Sequence, residues 1–283
     1  MKSCIIFSCT IMSKHRLIVL YRFLQTFQRY FSDCDLFIGI NPESLNTVET
    51  IINSYGLNVK YMQRCPHELY SNSDASAYQI ALKGLRDSKI EYENYWFVHT
   101  KSGVNEHSNY LREWYISNFL EKRISIETFI NEIPDIGSYG MLGLSYDKFK
   151  TYDETDVEID IFKNTITNDL PYTHAHFFYI HTMYVINKKP IQKFLSLVSD
   201  TWFNTKLDRY YFEGVFPFIV SRSGYFPYIE NQFDCSMIPK DLSFKIAEWI
   251  AVNNLEKYNN YTNLFKTNFK FNQLKPPYVN SNT

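Results

Sequence analysis

Residues 95–104 read YWFVHTKSGV. The first four, Tyr95 to Val98, form an unbroken run of large apolar side chains, the pattern of a strand buried on both faces. The next five are His99, Thr100, Lys101, Ser102 and Gly103. An imidazole, a hydroxyl and an ammonium therefore stand together where the chain leaves its core. What lies before this stretch decides what kind of sheet it ends.

Reading backwards, 75–86 has Tyr78, Ala81, Leu82 and Leu85 at helical spacing, with Ser73-Asp74 as its cap. Residues 58–62 form a short strand. Ahead of it Val48, Ile51, Ile52 and Tyr55 share a helix face, with Ser44 or Asn46 as cap and Gly56 as stop. DLFIGI (35–40) is a strand closed by Asn41-Pro42. Residues 17–31 carry Leu17, Leu20, Tyr21, Leu24, Phe27 and Phe31 at helical spacing, and 4–11 is a β-branched first strand. Strands alternating with helices predict an α/β fold, a mostly parallel sheet covered on both faces. In such sheets ligands sit outside the carboxyl ends of the strands, and His99 stands at one of those ends.

Reading forwards, the pattern is less regular. Residues 109–132 read as one long amphipathic helix through Leu111, Trp114, Tyr115, Phe119, Ile126 and Phe129. A short strand (140–144), a polar acidic loop (146–169), an apolar strand-like run (177–186), a helix (190–198) and a closing helix (241–255) follow. The expected organisation is one domain over 1–255, with halves 1–104 and 105–255, and an Asn-, Lys- and Pro-rich arm or tail over 256–283.

Composition narrows the function classes. The chain has 283 residues, 29 basic against 30 acidic and a net charge of −1, without the basic excess of a nucleic-acid binder. The 23 Tyr and 23 Phe accompany abundant Asn, Ile and Lys, the mark of an AT-rich coding sequence, so they are not evidence for ligand stacking. Five cysteines, an odd number without a CxxC pair, predict free and mostly buried thiols in a reducing compartment. The apolar run at the N-terminus is too short for a signal peptide, and no window of about 18 apolar residues exists to span a membrane. A soluble cytoplasmic protein is the expectation. GxGxxG, GxxxxGK[ST] and GxSxG are absent, which counts against a dinucleotide oxidoreductase, a P-loop kinase and an α/β-hydrolase.

The order of these parts resembles a glycosyltransferase of the GT-A type. SDASAYQIALKGL is similar to the helix that precedes that family's metal-binding strand, and YWFVHTKSG takes the place of its Asp-x-Asp motif. A smaller group of glycosyltransferase-like proteins carries His-Thr-Lys-Gly there. HAHFFYIHTMYVINKKPIQKF resembles the acceptor-side strand and helix, and YYFEGVFPFIVSRSGY the segment where an acidic residue opens a helix. The resemblance covers roughly residues 3–230. It implies a Rossmann-type nucleotide-sugar-binding half (1–104) and a more irregular acceptor-side half (105–255). The activity implied is a hexosyl- or pentosyltransferase, moving a sugar from a uridine or guanosine diphosphate donor to a glycan hydroxyl in polysaccharide or glycan synthesis.

On this reading His99 and Lys101 replace the metal, because cationic side chains fixed at a strand end stabilise the charge gathering on the leaving diphosphate. Their bland reading is a solvent-facing loop. Glu213, among Tyr210, Tyr211, Phe212, Val215 and Phe216, is the candidate base for the acceptor hydroxyl. It reads equally as a residue favoured by a helix N-terminus, and Asp208 is a nearby substitute. Ser8, Thr10, Asn41, Asp74, Thr100 and Ser102 are the donor-binding candidates, Asp74 doubling as a helix cap. His176, His181 and Arg222 are candidates on the acceptor or phosphate side. His174 and His176 share a strand face but lack adjacent carboxylates or cysteines, so no residue is assigned to a metal. A Mn²⁺ or Mg²⁺ ion held by Asp147, Asp153, Glu154 or Asp156 stays an alternative. Two rival functions are a non-catalytic glycan- or partner-binding protein on a degenerate fold, and a sugar nucleotidyltransferase. The latter lacks the Gly-rich loop it needs after the first strand.

Overall fold

The structure is a computed structural model and describes residues 2–70, 74–101, 109–145, 177–179, 182–207 and 211–232. In chain order these form β1 (Ser3–Cys9), α1 (Leu17–Tyr30), β2 (Asp35–Ile40), α2 (Val48–Ser54), β3 (Val59–Arg64), α3 (Ala75–Ser88) and β4 (Asn94–His99). Then come α4 (Asn109–Asn118), α5 (Arg123–Glu132), β5 (Ile136–Ser145), β6 (Phe177–Tyr179), β7 (Tyr184–Asn187), α6 (Lys188–Leu197), α7 (Tyr211–Arg222) and β8 (Phe226–Gln232). The expected helix over 241–255 and the arm over 256–283 lie outside the described residues.

One sheet runs through both halves of the described chain in the order β3-β2-β1-β4-β7-β5-β6, with β8 also paired to β5. The first four strands are parallel. The chain walks outward from β1 to β3, then α3 carries it back over β1 to β4. That reversal is a topological switch point between β1 and β4. The second half is mixed: β7 runs antiparallel to β4 and β5, β6 is antiparallel to β5, and β8 is parallel to it. The expected strand over 177–186 is in fact two strands, β6 and β7. Among the described residues no helix is long and apolar enough to cross a membrane.

Helices cover both faces. Ile5, Phe7 and Cys9 point to α1, α4 and α5, where Phe7 meets Phe27 edge-on at 5.1 Å. Cys4, Ile6, Tyr95 and Phe97 point to α3, α6 and α7. Phe97 lies 4.6 Å from Phe216 and 5.0 Å from Tyr184, so aromatic rings fill the layer between sheet and helices. The four described cysteines, Cys4, Cys9, Cys34 and Cys65, are free and buried, as expected. Burial raises each thiol, Cys34 to about 12.

Two expectations are corrected. Neither Ser44 nor Asn46 caps α2, whose N-cap position is Thr47 without a side-chain bond. Ser44 Oγ instead accepts the Ile11 N–H at 3.1 Å and stitches the loop after β2 to the loop after β1. The long helix over 109–132 is broken by a 3₁₀ turn at Leu120–Lys122. The bend brings Arg123 inward. Its guanidinium bonds Asp33 at 2.5 and 2.9 Å, the Tyr30 carbonyl at 2.9 Å and Glu127 at 3.1 Å. Glu127 also accepts from Ser3 and Trp96 at 2.7 and 2.8 Å, so this buried carboxylate is well satisfied.

At the same end of the sheet, Asp35 bonds Lys2 at 2.8 Å and Tyr92 at 2.6 Å, with Lys60 3.7 Å away and the Asn58 amide against its other oxygen. Burial favours the neutral acid, but these partners outweigh it and hold the carboxyl below its usual range. Its folded-state value is thus depressed. The stability it contributes is present above the unfolded value near 4 and lost as pH falls through the lower folded one. Urea unfolding at stepped pH should show an acid-side loss of stability that is shallower in Asp35→Asn than in the wild-type chain.

α3 lies unusually low on the sheet. A Cβ added to Gly39 in β2 would sit 1.8 Å from the Ala77 carbonyl oxygen and 2.5 Å from its carbon. Both sides of that clash are backbone inside regular structure. Gly39→Ala should therefore cost on the order of 3 kcal/mol or more in urea unfolding. Gly56→Ala, at φ +63° but with nothing within 4 Å, should cost about 1 kcal/mol.

Candidate functional site

Gly39, Ser8 and His99 occupy one row across the parallel strands β2, β1 and β4. In-register residues of parallel strands point to the same face, here towards the start of α3. Each makes a different contact with that helix. Gly39 gives it room. Ser8 Oγ donates to the Asp74 carbonyl at 3.2 Å. His99 Nδ1 lies 2.5 Å from an Asp74 carboxylate oxygen. Asp74 does hold the N-cap position of α3, but its side chain makes no cap bond. The expected capping is therefore replaced by a bond to the residue that closes β4.

This pair fixes the imidazole. With Nδ1–H donating to the carboxylate, Nε2 carries a lone pair in the neutral ring and an N–H in the charged ring. Nε2 is buried and has no hydrogen-bond partner among the described residues, and His99 as a whole is 7 % exposed. Thr10 Oγ1, at the end of the neighbouring strand, is buried and unpartnered in the same sense. Buried side-chain atoms without a partner also occur at the other end of the sheet, in Asn94 and Asn187. An orphan atom alone does not make a site. His99 differs because it stands at the switch point and has a carboxylate behind it.

The neighbouring candidates are engaged in the framework. Thr100 Oγ1 accepts the Thr10 N–H at 2.7 Å and donates to the Thr10 carbonyl at 3.0 Å. The Thr100 N–H bonds the Ser8 carbonyl at 3.1 Å. Asn41, 1 % exposed, accepts the Glu43 N–H at 2.9 Å and bonds the Tyr70 hydroxyl. Ser8, Asn41 and Thr100 thus tie the strand ends together. Lys101 follows, half-buried, its N–H on the His99 carbonyl at 2.8 Å.

The sequence reading missed Arg64. It ends β3, paired with Ile40. Its Nε and Nη2 grip the Glu49 carboxylate at 3.0 and 2.8 Å, and Nη1 donates to the Ser44 carbonyl at 2.7 Å and to those of Asn41 and Pro42 at 3.3 Å. This clamp shapes the loop after β2 beside the site. No local spacing links 49 to 64; only strand register brings them together.

Glu213 lies in the first turn of α7. That turn is docked beside α3: Phe212 meets Tyr78 at 5.4 Å and accepts the Tyr184 hydroxyl at its carbonyl at 2.7 Å. Pro217 has no N–H for the Glu213 carbonyl, so that carbonyl lacks its usual helical donor. Arg222 is nine residues on, about 13 Å along the helix. Val220 beside it reaches Gly137 at the start of β5, so Arg222 sits at the opposite end of the sheet from His99. Ser102, His174, His176 and His181 lie outside the described residues, as do Asp208, Asp147, Asp153, Glu154 and Asp156. Among the described residues no group of three or more His, Cys, Asp or Glu is placed to hold a metal ion.

The Thr100 bridge generates a test. Thr100→Val leaves the Thr10 N–H buried without its partner, which should cost about 1–3 kcal/mol in thermal unfolding. Thr100→Ser, which keeps the hydroxyl, should stay close to wild type.

The chain matches no model of a known protein family, and no curated protein sequence matches it.

Proposed function

We propose that this chain is a glycosyltransferase that takes a sugar from a nucleoside diphosphate donor and passes it to a hydroxyl of a glycan acceptor. The observation that carries the reading is the Asp74-backed imidazole of His99 at the switch point between β1 and β4, with Lys101 two residues further on. Cations held at the carboxyl ends of parallel strands suit a diphosphate, and no Gly-rich phosphate loop competes for that role.

In the proposed step the acceptor oxygen attacks the anomeric carbon and forms the new glycosidic bond. The bond from that carbon to the diphosphate breaks, and its electron pair leaves on the phosphate oxygen. Glu213 takes the acceptor proton, and its position beside the Tyr78–Phe212 contact supports that role. His99 and Lys101 stabilise the charge that gathers on the leaving diphosphate. Asn41 and Thr10, at the ends of β2 and β1, border the nucleoside.

A thermal-shift panel of UDP, GDP and their sugars, each with EDTA and with Mn²⁺, tests this. One nucleotide family at about 100 times its Kd should stabilise the chain by about 2.7 kcal/mol, with EDTA present. Lys101→Ala should abolish that shift and sugar transfer while leaving the unliganded Tm unchanged. A shift only with Mn²⁺ would move the diphosphate to carboxylates. No shift with any nucleotide would favour the non-catalytic binding protein.

A further inference from the structure

We propose that Asp74 and His99 form a proton-coupled clamp: Asp74 is a positioning residue that fixes the ring through Nδ1, and a diphosphate oxygen binds at Nε2 only with a proton taken up by the ring. The inference rests on the nucleotide-sugar reading above and adds to it the charge state in which the site binds.

The argument is one of donors and acceptors. An imidazole between two anionic oxygens needs an N–H on each nitrogen, because neither oxygen has a proton to offer. The Asp74 oxygen is already 2.5 Å from Nδ1. A phosphate oxygen at Nε2 supplies the second acceptor, so the bound ring is the imidazolium. The ring cannot turn to avoid this: it is 7 % exposed, and Asp74 is held in turn by Ser8 through its carbonyl. The backbone there cannot drift, since α3 is seated on Gly39 one strand away.

Other groups around the pair do not titrate in its place. Tyr78 lies one turn along α3, Tyr70 precedes that helix, and Cys9 ends β1; burial raises all three. Glu49 and Arg64, on the Cys9 side, are paired with each other. Lys101 is the neighbouring cation, and Glu213 lies in the first turn of α7.

The probes are UDP-glucose and GDP-mannose, whose disubstituted diphosphates carry two negative charges throughout about pH 6 to 9, so the ligand itself takes up no proton there. Calorimetry in buffers of different ionisation heat counts the protons taken up. For the wild-type chain, uptake should rise towards one proton per ligand as pH is raised from about 6 to 9, and affinity should fall by up to about tenfold per pH unit where uptake is complete. His99→Gln should bind more weakly, with no uptake. Asp74→Asn, which keeps the shape, should move uptake to lower pH and weaken binding about tenfold at neutral pH. A wild-type affinity that is flat with pH overturns the clamp, because the ring would then take up no proton on binding. An unchanged pH profile in Asp74→Asn removes Asp74 from it. Absence of binding by either probe at every pH sinks the nucleotide-sugar reading itself, and the clamp with it.

Discussion

The first turn of α3 rests directly on the sheet, and most of the architecture around the strand ends follows from that contact. A helix normally keeps a side-chain layer between itself and a sheet. Here Gly39 removes that layer at one point, and the Ala77 carbonyl comes so close that even a methyl group is excluded. Because the helix start is pinned there, Asp74 falls level with Ser8 and His99 in the next two strands, and its backbone and side chain each find a partner. Tyr78, one turn on, then reaches the Thr182 carbonyl at 2.5 Å and packs on Phe97 and Phe212. Through these contacts the position of α3 also sets that of β7 and α7.

The two ends of the sheet use ionic groups differently. At the amino ends, Asp35 and Glu127 are buried but surrounded by donors from several elements, and Arg123 is matched by a carboxylate on each side. Removing one member would strand the others, so these groups favour one arrangement of strands and helices. At the carboxyl ends, by contrast, His99 Nε2 is buried without a partner among the described residues. Bonds from Thr100, Ser44 and Arg64 tie down the chain after β1 and after β2 beside it.

The parallel half of the fold was legible because its signals are local. DLFIGI matches β2 from Asp35 to Ile40, and the helical spacing after Leu17 and Ala75 gave α1 and α3 nearly to the residue. Legibility failed where a distant partner overrides local pattern. Residues 109–132 carry helical periodicity throughout, yet the chain bends because Arg123 is drawn to Asp33, ninety residues away in sequence. Residues 177–186 look like one strand, but they divide so that β6 and β7 pair with different stretches of β5. Within the site, His99, Lys101 and Asp74 were singled out from sequence, but the bond between Asp74 and His99 was not. An aspartate before a helix reads as a cap, and only the descent of α3 onto Gly39 turns it towards the neighbouring strand.

That bond changes what the short polar stretch after β4 means chemically. A divalent ion offers two positive charges with no proton accounting, and it needs carboxylates to hold it. Histidine and lysine offer the same formal charge only while the imidazole is protonated. A carboxylate on the far nitrogen holds the ring in place without touching the ligand. In the proposed complex the row formed by Asp74, His99 and a phosphate oxygen would carry one net negative charge, and Lys101 stands two residues from His99 in the chain. Asp74 is accordingly the residue on which a metal-independent diphosphate site in this fold would depend, although it need never contact the diphosphate.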